Sequence, residues 1–190
     1  MFGVGDFVIR EKSMIDQKLL VRCVTGAASD VFQMMLGMEV RFTGVAVGAR
    51  ASDAGLISLV GITGEWGGSG VFCCSPKLAS LICARMLGGA NDAEDSPINE
   101  EVLDVVAEVT NMMIGNVKNG LEEITGPLAI SVPTVIYGRN FQFRNPTGPR
   151  GAALTFMTEG ERFEVRFSLA PSGENAGRHM RIPILGLAHV

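Results

Sequence analysis

The chain reads as an α+β domain, with helices packed against an antiparallel β-sheet. Three observations predict this class. Apolar residues recur at helical spacing over residues 14–37, 76–87 and 96–125. Short apolar or alternating runs at 38–48, 55–63, 69–74, 128–137, 140–144, 151–158 and 161–169 read as strands. The order helix, strands, helix, long helix, strands lacks the regular β–α alternation of a parallel sheet. Helix followed by strands in each half would suit a duplicated unit, although no identity between the halves is strong enough to establish one.

Residues 1–13 form a lead-in with a short strand at 7–9, and the domain proper spans 14–170. In the first helix, Ile15, Leu19, Leu20, Cys23, Val24, Ala27, Val31, Met34 and Met35 share the apolar spacing. Gly26 marks a close contact or a break, and Gly37 is the stop. Val40 and Phe42 begin the first alternating run. Gly64-Glu65-Trp66-Gly67-Gly68 reads as a hairpin loop between the next two strands. Ser75-Pro76 opens a helix that Gly88-Gly89 closes. Residues 90–95 are a short acidic loop. In the last hairpin Phe163, Val165, Phe167 and Leu169 alternate with Glu164, Arg166 and Ser168, which predicts one buried and one wet face. Residues 171–190 form a tail that holds both histidines, His179 and His189.

The long helical stretch, 96–125, organises the functional reading. Ser96-Pro97 supplies a start signal, Glu100 and Glu101 suit the positive end, and Gly126-Pro127 stops the run. At about 100° per residue, Glu100, Glu101, Asp104, Glu108, Asn111, Gly115, Lys118, Asn119 and Glu122 fall in one arc. The valines, methionines and Leu121 lie opposite. Glu108 and Asn111 leave one face about a turn apart, a carboxylate beside an amide that both donates and accepts. Gly115, a turn further on, removes bulk where another surface could approach. On spacing alone, the plainer reading of this stripe as a solvated helix face with one tolerated glycine is the stronger. Asn116 falls toward the apolar side and reads as structural.

Composition narrows the function. A net charge of −4 without a basic cluster argues against a nucleic-acid surface. Cys23, Cys73, Cys74 and Cys83 form no C-x-x-C and read as reduced core residues in a cytoplasmic protein. The N-terminus lacks a signal-peptide pattern, and no uninterrupted apolar run predicts a membrane span. There is no Gly-x-Ser-x-Gly, no phosphate-loop motif and no convergent metal-ligand spacing. What remains is chemistry needing neither nucleophile, metal nor cofactor from this chain.

The stretch Ala107-Glu108-Val109-Thr110-Asn111-Met112-Met113-Ile114-Gly115-Asn116 resembles the signature helix of the CheC/CheX/FliY family of chemotaxis phosphatases, whose motif is Glu-x-x-Asn followed by a small-residue turn. Residues 55–64 with Gly70-Val71, and residues 130–138, match the family pattern on either side. The likeness extends over roughly 14–170 and reverses the preference for the plainer reading. It implies a CheC/CheX-like, pseudo-duplicated α+β unit that hydrolyses the aspartyl phosphate of a CheY-type receiver. Asn111 would orient the attacking water, and Glu108 would pair with the receiver's active-site lysine. Asp104, Gly115 and Asn119 would line the contact, and Mg²⁺ would belong to the receiver. Asp30 and Gln33 stand at a loose counterpart in the first helix and read as ordinary helix residues. With one motif, the chain is closest to CheX-like members, which implies a homodimer. The alternatives are a non-catalytic receiver-binding or scaffold module on the same fold, and a small-ligand sensor.

Overall fold

The computed structural model describes residues 15–46, 50–88, 97–143 and 150–172, without the side chains of 50–54 and 140–143. The expected strand at 7–9, the acidic loop, the turn at 145–149 and most of the tail lie outside them. Among the described residues, three helices pack on one face of a seven-stranded antiparallel sheet. The elements are α1 (Gln17–Leu36), β1 (Arg41–Val45), β2 (Arg50–Gly64), β3 (Trp66–Cys74), α2 (Pro76–Met86), α3 (Glu100–Thr125), β4 (Leu128–Ile130), β5 (Thr134–Phe143), β6 (Gly151–Thr158) and β7 (Glu161–Pro171).

Across the sheet the order is β1-β6-β7-β3-β2-β4, with β5 also paired to β2. Read from either end, this order is the same. β1 of the first half pairs with the middle strand of the second, β4–β5 pair with the middle strand of the first, and β3 meets β7 at the centre. The two helix–strand halves are therefore related by a pseudo-two-fold axis between β3 and β7. Aligning the halves reveals an internal repeat that inspection of the sequence had not established. Asp30-Val-Phe-Gln-Met-Met-Leu-Gly37 matches Glu108-Val-Thr-Asn-Met-Met-Ile-Gly115, with Val, both Met and Gly identical.

Capping explains the helix bounds. Asp16 accepts from Leu19 N–H at 2.6 Å to start α1, and Gly37 ends it with φ 62°. Gly26 neither breaks α1 nor meets a neighbour. Ser75 starts α2 as expected, accepting from Leu78 N–H and donating to Glu161 Oε2 at 2.7 Å. For α3 the Ser96 start is corrected: Asn99 is the cap, its Oδ1 accepting from Val102 N–H at 3.0 Å, and Pro97 precedes the helix. α1 is apolar and long enough to cross a membrane by composition, yet Leu20, Val24, Ala27, Ala28, Val31, Phe32 and Leu36 are buried in the core.

Three strand expectations also change. The glycine-rich segment 64–68 is not a wide loop, since β2 reaches Gly64 and β3 begins at Trp66. Gly68 permits this because any Cβ there would lie 1.9 Å from the Ser168 carbonyl oxygen of β7. The strand expected over 128–137 is split at 131–133, and β5 then runs unbroken to Phe143. The supposedly wet side of β7 is buried. Glu164 and Arg166 are each only 3% exposed and form an ion pair, and beside them on the same face Val71 and Cys73 of β3 join Ile57 in a second buried cluster.

The core joins α1 to the sheet through Phe32. It stacks on Phe163 at 4.6 Å, and Phe163 in turn meets Phe156 at 5.0 Å and Phe72 at 5.7 Å. Cys74 and Cys83 are buried in the same core, and no cysteine is in a disulfide. Burial raises the thiol pKa of Cys83, helped by nearby Glu101, and of Cys23 against the opposing effect of Arg22.

Candidate functional site on helix α3

Helix α3 is held along most of its length. Its N-terminal turn is capped by Asn99 and carries Glu100 and Glu101 where the helix dipole favours carboxylates. Near its middle, Ile114 lies directly over Gly70 of β3, and a Cβ on Gly70 would come within 2.4 Å of Ile114 Cδ1. Gly70 thus sets the height of α3 above the sheet. Further on, Gly120 faces Cys23 of α1, whose sulfur would sit 3.4 Å from a Cβ. At the C-terminal end, Lys118 Nζ bonds Glu122 Oε1 at 2.6 Å and the Leu128 carbonyl at 3.1 Å, while Leu128 N–H donates to Glu122 Oε1. Two members of the polar stripe therefore serve to anchor β4.

Glu108 and Asn111 hold no other part of the fold among the described residues. Glu108 is exposed and Asn111 is half-buried, and neither makes a hydrogen bond or ion pair among the described residues. Three residues apart, they are separated by about 4.5 Å along the axis and about 60° around it. Both face outward. Asn111 lies on the side of α3 that also carries Lys118 and Gly115, the side turned toward β4. Glu108 lies on the open crest. Asp104 and Asn119 are exposed on the same stripe.

Gly115 has no packing reason to be glycine. A Cβ would meet only Ile130 Cδ1, at 4.0 Å, an ordinary contact. Asn116 departs from its expected structural role: it is exposed and bonds no backbone group among the described residues. The solvent-facing arc of α3 is rotated from the expected one, extending to Asn116 and Glu123 while Lys118 and Glu122 are tucked against β4. Helical spacing alone could not reveal this, since it does not say which margin a strand will cover.

Asp30 and Gln33 are exposed on α1, their side chains likewise unengaged among the described residues. No group of three or more His, Cys, Asp or Glu among the described residues is placed to hold a metal ion.

An α+β sheet with an internal two-fold, bearing an outward Glu-x-x-Asn pair on its longest helix, defines a small class of proteins. The family model of the chemotaxis phosphatase CheX matches residues 56–157, more than half of the chain, and the protein belongs to that family. The CheY-P phosphatase CheX of Thermotoga maritima is 27% identical over 156 residues, covering 81% of this chain and 97% of that protein. A crystal structure of CheX from Desulfovibrio desulfuricans superposes with a TM-score of 0.67 at 26% identity, covering 80% of this chain and 99% of the other. The CheX chain in a CheX–CheY–BeF₃–Mg²⁺ complex from Borrelia burgdorferi shares the fold, with a TM-score of 0.65 at 24% identity over 82% of this chain and 99% of that one.

Proposed function

We propose that this protein accelerates hydrolysis of the aspartyl phosphate on a CheY-type receiver domain, with Asn111 placing the water and Glu108 gripping the partner. The observation that carries the reading is the pair itself: an exposed carboxylate and a half-buried amide, both unengaged among the described residues, one turn apart on a helix fixed at both ends. The family membership and the CheY-P phosphatase named among the relatives support the substrate class.

The chemistry asks little of this chain. Water oxygen attacks phosphorus, the bond from phosphorus to the receiver's aspartate oxygen breaks, and the aspartate leaves as carboxylate. The product is inorganic phosphate, with the water's protons passing to it and to solvent. Mg²⁺ and cationic charge for the phosphoryl oxygens belong to the receiver, so the barrier is mostly one of positioning. The Asn111 amide accepts from the water and donates to a phosphoryl oxygen, which fixes the water in line. Glu108 pairs with the receiver's lysine and sets the depth to which α3 enters. Asp104 and Asn119 extend the contact along the stripe, and Gly115 leaves room for the partner's surface. A homodimer, as the family likeness implies, belongs to the same proposal and is tested by light scattering of the eluted protein.

The test follows phosphate release from a phosphorylated receiver encoded by the same genome. The wild type shortens the phosphoryl lifetime, and Asn111→Ala and Glu108→Ala each restore most of it. Stable receiver binding with no change of lifetime would instead mark a scaffold.

A further inference from the structure

We propose that the groove between α1 and β1 binds an amphipathic carboxylate, a medium-chain acyl group with one anionic end, at a site separate from Glu108 and Asn111. The groove encloses about 750 Å³, within the roughly 300–1,000 Å³ usual for small-molecule sites. Its apolar floor is open to solvent: Phe42 is 39% exposed and Val45 50% exposed. In a regular strand these two side chains would not share a face, because residues three apart point to opposite sides. A register shift between Phe42 and Gly44 brings both into the groove. The bulge is pinned in place. The Thr43 hydroxyl donates to the Thr155 carbonyl at 2.9 Å, and the Thr155 hydroxyl donates to the Gly44 carbonyl at 3.0 Å. Bulges re-aim side chains, and this one holds two apolar groups out in water.

The α1 wall supplies the charge. Lys18 and Arg22 lie one turn apart on it, and no carboxylate is among the described residues that line the groove. Neither cation makes an ion pair or hydrogen bond among the described residues. Like charges at this spacing repel. Lys18 also stands in the first turn of α1, where the helix dipole disfavours a cation. Asp16, the carboxylate nearest in sequence, is engaged as the helix cap. Two uncompensated cations complement a carboxylate, which an arginine can grip through two parallel hydrogen bonds. Further along the same wall, the Thr25 hydroxyl is buried without a hydrogen-bond partner among the described residues. Beside it, a Cβ on Gly26 would meet nothing within 4 Å. Alanine would serve the helix better there, so packing within the chain does not account for the glycine. Close approach of a ligand lying along the helix does. From Lys18 to Gly26 the helix rises about 12 Å. A charged end at Lys18 and Arg22 and an apolar body running over Val21 to Gly26 describe a single unbranched amphiphile.

The experiment is a calorimetric titration of the whole chain with dodecanoate, kept below the concentration at which it forms micelles. One molecule binds per chain. Lys18→Glu and Arg22→Glu each weaken binding by about tenfold or more. Gly26→Leu fills the groove while favouring the helix, and it abolishes binding. Thermal unfolding of each variant shows that the loss occurs in a folded chain. Dodecyltrimethylammonium, with the same chain and the opposite charge, does not compete. Equal binding of the two amphiphiles, or dodecanoate binding that Gly26→Leu leaves intact, overturns the site. So does a wild type that takes up no dodecanoate, including the case in which Gly26→Leu halves the mass seen by light scattering and the groove proves to seat a second copy of the chain. Phosphate release from the receiver tests Glu108 and Asn111 separately and is untouched by any of these results.

Discussion

The two halves of the molecule use one plan with different finish. α3 is clamped against the β4–β5 margin: Ile130 sits beside Gly115, and Lys118 and Glu122 tie the helix to Leu128. α1 meets a shorter margin, the five residues of β1, and the described residues leave an open groove of about 750 Å³ there. Val21, Gly26, Phe42 and Val45 line that groove, with Lys18 and Arg22 among its polar residues. The outward pair of α3 lies well inside a long helix. That of α1 lies near the C-terminal end of its helix, where hydrogen bonds give out. Duplication thus supplies the frame twice, while the strand anchor through Lys118 and Glu122 is found on α3 alone among the described residues. Positioning catalysis needs that rigidity, since small displacements of a water-orienting group are costly.

The most direct way to break this comparison is through the amides. Asn111→Ala is expected to lower the acceleration of receiver dephosphorylation by about 10²-fold, the scale of a lost positioning group. Gln33→Ala, at the matching position of α1, is expected to leave the decay nearly unchanged, because Gln33 has no part in the proposed site. Single-turnover decay of the phosphorylated receiver measures both. Equal losses would mean that Asn111 has no special part in turnover.

A second variant tests the clamp itself. Gly70→Ala pushes a Cβ into three atoms of Ile114, a β-branched residue with little rotamer freedom in a helix. Overpacking of this kind costs about 1–3 kcal/mol, read from denaturant unfolding. The surviving folded protein should also lose turnover, as α3 must lift from the sheet. Full activity in a destabilised protein would uncouple helix height from the site.

Gly115 separates packing from docking. Gly115→Ala should stabilise the chain by up to about 1 kcal/mol, the helix-propensity difference, since Ile130 leaves room for the methyl group. Gly115→Gln should also fold normally but raise the KM for phosphorylated receiver. A loss of stability with either variant would show that glycine is there for the fold.

Much of the frame was legible because periodicity reports burial directly. The Ser75-Pro76 start, the Gly37 and Gly126 stops and the β6–β7 hairpin all follow from local chemistry. Glu108 and Asn111 were legible as a shared face for the same reason. What escaped depends on neighbours remote in sequence. Glu164 and Arg166 look solvent-facing until β3 sets Cys73 and Val71 beside them, part of a second buried cluster on that face. Lys118 and Glu122 look like free stripe residues until β4 arrives beneath them. Asn116 looks inward by angle, yet no element covers it. The internal repeat was hidden by its conservative exchanges and became plain only once the sheet order supplied the axis.

The smallest expected effect concerns the anchor that α1 lacks. The Lys118 ammonium beside Glu122, together with the Leu128 N–H, holds the Glu122 carboxyl below its ordinary range. A carboxyl whose folded pKa is depressed adds stability above its unfolded value, about 4.3, and that contribution fades as pH falls through the lower folded value. Unfolding midpoints measured from pH 6 downward should therefore decline below about pH 5 in the wild type. Glu122→Gln keeps the acceptor oxygen for Leu128 N–H but removes the titrating charge, so its decline should be shallower over the same interval. Because this group is solvent-accessible, added salt should shrink the difference between the two proteins. Parallel pH profiles at low salt would show that the Lys118–Glu122–Leu128 contact is incidental. The clamp on α3 would then rest on Gly70 and Gly120 alone.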